Sequence, residues 1–168
     1  MPSIAAFPDL LDLSAAAAGQ IKFPATQHVS ADPNTLDDYK EGTFTPAITF
    51  GGGAVGLTYS TRTGTYTKVG RLVFFQAYFL LTAKGSSTGA ASISGLPLTA
   101  NATAGMYHAP AFWFAAMTSI SGEIKGFIAP GSTAITPYQM GTGAPSLITN
   151  ANFTNTTEFI VSGFYVVA

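Results

Sequence analysis

Residues 72–81 read Leu-Val-Phe-Phe-Gln-Ala-Tyr-Phe-Leu-Leu, a run whose single polar member is Gln76. Even positions carry Leu72, Phe74, Tyr78 and Leu80, and odd positions carry Val73, Phe75, Ala77, Phe79 and Leu81. A strand here is therefore apolar on both faces, and a two-layer sandwich covers only one of them. Periodicity alone also admits a buried helix for so short a run. The aromatics, β-branched Val73, the Gly70 opening and the Lys84-Gly85-Ser86 close favour the strand. The second cover is then most simply another copy of the chain. Phe74, Phe75, Tyr78 and Phe79, with Phe164 from the C-terminal run, are the residues expected in the core or the intersubunit interface.

The rest of the chain fits around such a strand. Its 168 residues suffice for one well-cored domain. Only 9% are charged, against about 25% in an ordinary soluble domain, so Thr and Ser hydroxyls or partners must cover the surface. With no cysteine, disulfides, thiolate metal sites and cysteine nucleophiles are excluded. No apolar run approaches the ~20 residues of a membrane span, and the opening MPSIAAFPDLLDLS lacks the basic region of a signal peptide. The chain is expected to be soluble and unprocessed. Residues 1–42 hold six acidic residues and two lysines, and the remainder five basic and two acidic residues. Five scattered cations make no phosphate-binding stripe, so nucleic acid is not an expected partner.

Residues 1–42 have little apolar periodicity and read as an extended attachment or connector segment, with a turn at Asp32-Pro33-Asn34. Residues 43–168 have the texture of short strands. Phe44 to Phe50 reads as one edge or bulged strand because of Pro46, and Gly51 to Gly53 as a hairpin turn. Val55 to Tyr59 and Thr65 to Val69 alternate as strands; Ala90 to Gly95, Met106 to Met117 broken at Pro110, Glu123 to Ala129, Ala134 to Met140 and Glu158 to Ala168 complete the set. About eight short strands with Gly and Pro punctuation predict an all-β antiparallel sandwich or jelly roll.

Four runs, AGQIKFPATQ, SADPNTLDDYKEGTFTPAITFGGG, YSTRTGTYTKVGRLVFFQ and ISGLPL, spanning about residues 17–98, resemble a module of tail-fibre and related receptor-binding or appendage proteins of tailed bacteriophages and prophages. The resemblance implies a β-sandwich at or near the end of a fibre, assembled as a homotrimer. It also implies a place in the virion after assembly in the bacterial cytoplasm, contact with other tail proteins, and recognition of a host-surface glycan or protein. A purely structural decoration, collar or fibre-adaptor subunit is the alternative.

Few residues could carry chemistry. Glycan hydrolysis needs a pair of carboxylates, and beyond residue 42 only Glu123 and Glu158 exist. His28 and His108 have no nucleophile motif nearby. Asp32, Asp37, Asp38 and Glu41 could offer hard oxygens to calcium but lack the spacing of an EF-hand loop, and they read as a polar connector. No enzyme activity, cofactor or metal is expected. Recognition without titratable groups remains: aromatics can stack on sugars while polar side chains hydrogen-bond. Tyr107, His108 and Trp113 form the first candidate cluster and Tyr138 with Gln139 the second, although Trp113 between Phe112 and Phe114 also fits a core or interface.

Overall fold

The chain is described by a computed structural model, which places residue 21 and residues 23–26, 30–141 and 143–168. His28 lies outside these residues. The described chain is all-β and antiparallel. The larger sheet has the order β1 (Tyr39–Phe44), β3 (Leu57–Val69), β4 (Leu72–Lys84), β10 (Phe153–Val166), β6 (Ala111–Met117). The smaller sheet has the order β2 (Ala47–Phe50), β5 (Ala91–Ser94), β8 (Ala134–Met140), β7 (Glu123–Ile128), and the two-residue β9 (Ser146–Leu147) pairs with β8. β1 takes in residues 39–42, which the sequence groups with the connector.

β4 lies at the centre of the larger sheet, and its period-two pattern sorts the two apolar sets. Val73, Phe75, Ala77, Phe79 and Leu81 are buried between the sheets, whereas Phe74 is 49% exposed on the outer face. Phe75 and Phe79 thus belong to the intramolecular core. Phe79 stacks on Phe159, Phe159 stacks on Phe153, and Phe153 meets the edge of Phe50 across the sandwich at 4.9 Å between ring centroids. Rings at these distances add roughly 0.5–1.5 kcal/mol per pair beyond their burial.

Three expected strands differ in extent. The run 44–50 is not one strand: β1 ends at Phe44 in the larger sheet and β2 begins at Ala47 in the smaller one. Pro46, with fixed φ and no N–H, sits at the crossover, which is where a chain can leave a ladder without orphaning a donor. Residues 57–69 form one long strand, irregular in register around Tyr59, where the sequence shows two short alternations. β10 starts five residues before Glu158, in the polar run Phe-Thr-Asn-Thr-Thr. There the Thr157 hydroxyl accepts from the backbone N–H of Thr154 and donates to the Ala116 carbonyl at 3.0 Å, so hydroxyls take the place of ladder bonds at a bulge.

Cross-strand packing explains two glycines in the larger sheet. The Phe44 ring lies over its register partner Gly64, and a Cβ there would meet the ring at 2.5 Å; Tyr66 covers Gly42 in the same way. Next to them Lys68 and Asp38 form an ion pair with only 7% and 12% side-chain exposure. Asp32 caps the expected turn, accepting from the Asn34 N–H at 2.9 Å. Asp37 accepts from the Ser30 N–H. These carboxylates are engaged in turns and pairing, and among the described residues no group of three acidic or histidine side chains is placed to hold a metal.

Candidate functional site

β7 and β8 form a hairpin whose register sets Lys125 beside Tyr138, Phe127 beside Thr136 and Glu123 beside Met140. Strand alternation turns Ile124, Ile128 and Ile135 into the core, so Glu123, Lys125, Phe127, Tyr138 and Met140 all project outward. A neighbouring loop adds one more ring. His108 exchanges both backbone hydrogen bonds with Ile128, at 3.2 and 2.8 Å, and this bridge holds Tyr107 against β7. The Tyr107 and Phe127 rings meet edge to face at 5.2 Å, and Phe127 and Tyr138 lie nearly parallel at 5.6 Å.

Phe127 and Tyr138 border a surface slot of about 380 Å³ that Ala109, Lys125, Met140 and Pro145 also line. The volume falls within the range of small-ligand sites. The ammonium of Lys125, which lines the slot, donates to Glu123 at 2.8 Å, both groups being well exposed. That hydrogen bond, and then the lysine charge, hold the Glu123 carboxyl below its ordinary range. The pair offers donors and acceptors without net charge.

The sequence candidates separate in space. Tyr107 and Tyr138 come together through Phe127, which sequence reading passed over because a single Phe in an alternating strand looks like core. His108, although adjacent to Tyr107, points the other way: its Nε2 accepts from the Val166 N–H at 3.4 Å and its ring faces Tyr165. Gln139 lies on the opposite face of β8 from Tyr138, where its amide donates to Ser146 and accepts from the Ser121 N–H. Trp113 stands half exposed on β6 of the other sheet, beside its register partner Ile160.

A second surface covers the outside of the larger sheet. Phe74 and Phe164 are register partners, 49% and 56% exposed. Leu72, Tyr78, Leu80, Ile160, Val166 and Trp113 share that face by alternation and register, with Thr61, Thr63, Thr65 and Thr67 of β3 alongside. The Tyr78 hydroxyl is raised above its ordinary pKa by burial and by its hydrogen bond to Glu158. Glu158 and Glu123 therefore sit on the outer faces of different sheets and do not form a carboxylate pair across one substrate.

An antiparallel β-sandwich with two unlike outer faces is the class this fold defines. Neither a protein-family model nor a curated protein matches the chain. Among solved structures it is similar to the crystal structure of the Dettilon tailspike protein (gp208), with a TM-score of 0.63 and 22% identity over 76% of this chain. The chain spans 24% of the length of that tailspike, so the likeness is one of fold between this sandwich and a part of a larger protein.

Proposed function

We propose that this chain is a non-enzymatic module of a phage virion appendage, assembled as a homotrimer and contacting the host surface through its sandwich. The observation that carries the reading is the open face around Phe74 and Phe164. It is too apolar for a face meant for water, and its chemistry is that of a sheet face cut from a core. The tail-fibre resemblance of residues 17–98 and the tailspike-like fold support the same placement. The segment ahead of β1 serves as the attachment segment, joining the sandwich to other tail proteins, and the smaller sheet is turned toward a host glycan or protein. Separation of Glu123 from Glu158 favours binding over cleavage.

The test is the absolute solution mass of the full chain by light scattering on a sizing column, followed by binding of the purified protein to host cells. A three-chain mass with cell binding supports the proposal. A single-chain mass removes the trimer. Tight incorporation into virions without cell binding favours a structural decoration or adaptor subunit instead.

A further inference from the structure

Resting on the reading that the sandwich contacts host glycans, we propose that the slot bordered by Phe127 and Tyr138 is the sugar-binding subsite, and that it takes one neutral pyranose ring. Three observations define the occupant. The walls are aromatic rings and the Met140 and Pro145 side chains, which match the C–H face of a sugar ring. Lys125 lines the slot and pairs with Glu123 at 2.8 Å. Lys125 keeps N–H groups to donate and Glu123 keeps lone pairs to accept, as a ring of hydroxyls requires, while their mutual neutralisation leaves no charge to favour a phosphate or uronate. The phenol hydroxyl of Tyr138, whose ring lines the slot, adds a further donor and acceptor.

An extended peptide is disfavoured at this place. The free edge of β7, which a peptide strand would need, is already occupied at Ile128 by both backbone bonds to His108. The slot itself opens on the outer face, where side chains and not backbone are presented.

The experiment is saturation-transfer NMR on the full chain with methyl glycosides of glucose, galactose, mannose, rhamnose and N-acetylglucosamine, and with methyl glucuronide. At least one neutral glycoside should show transfer, and Tyr138→Ala and Lys125→Ala should each weaken it about tenfold. Trp113→Ala, on the other sheet, should leave it unchanged. Absence of transfer to every neutral glycoside, preference for the glucuronide, or full binding by Tyr138→Ala in a folded protein overturns the assignment. Parallel binding to host cells separates the two claims: cell binding that survives Tyr138→Ala sinks this site and leaves the appendage reading standing, and wild-type protein that binds no cells sinks both.

Discussion

Phe74 and Phe164 face each other across β4 and β10 on the open side of the larger sheet, centroids 6.2 Å apart, while their chain neighbours Phe75 and Tyr165 meet on the core side at 5.8 Å. One pair of strands thus presents two aromatic contacts, one sealed by the smaller sheet and one exposed on the outer face. Removing the open pair should separate assembly from folding. Phe74→Lys combined with Phe164→Asp should reduce the solution mass to one chain, with the circular dichroism of the β-sandwich retained. A three-chain mass in the double variant would place the contact elsewhere.

Phe159 is fully buried and stacks against both Phe79 and Phe153. Phe159→Ala should cost about 3–5 kcal/mol, read as a lower denaturant midpoint in urea unfolding. Trp113→Ala, at 50% exposure on β6, should cost far less in a single-chain protein.

The Asp38–Lys68 pair is buried, so removing either side chain takes an ion-pair contact from the other. Asp38→Asn or Lys68→Met alone should destabilise by about 3–5 kcal/mol, whereas Asp38→Leu with Lys68→Met should recover part of that loss, because an apolar pair carries no desolvation penalty. Chemical denaturation of the three variants tests this, and a double variant no better than the singles would refute it.

Tyr165 lies fully buried with its hydroxyl donating to the Leu98 carbonyl at 2.9 Å. Burial pushes its pKa up to about 12 from an ordinary 10.0, against the opposing effect of the Leu98 N–H, which donates to the phenol oxygen at 3.3 Å. A folded pKa above the unfolded one gives stability that is complete below pH about 10 and is lost as the pH rises through about 12. Unfolding midpoints measured across this window should fall, and Tyr165→Phe should remove part of the decline while costing about 1 kcal/mol at neutral pH through the unpaired carbonyl.

Ala116 holds φ at +53° in the bulge of β6, and its carbonyl accepts from both Thr154 and Thr157 hydroxyls. Glycine adopts that backbone without the Cβ penalty, so Ala116→Gly should leave stability unchanged or raise it by up to about 1 kcal/mol, its greater unfolded entropy offsetting part of the relief. A clear fall in the thermal midpoint would show that the strain is smaller than the entropy term.

The doubly apolar run 72–81, the Gly and Pro punctuation and the alternating segments determined an antiparallel sandwich from sequence alone, because period-two patterning is local and each strand carries its own record of it. The sequence also determined that carboxylate chemistry would be scarce, since composition limits what any fold can bring together. Tertiary structure decided the rest. Which apolar set of β4 faces inward depends on where the smaller sheet lies. The crossing at Pro46 depends on which ladder each half of that run joins. The grouping of Tyr107, Phe127 and Tyr138, and the parting of His108, Trp113 and Gln139 from them, follow from register and from the His108–Ile128 bridge. Those are contacts between residues distant in the chain, and no local pattern encodes them.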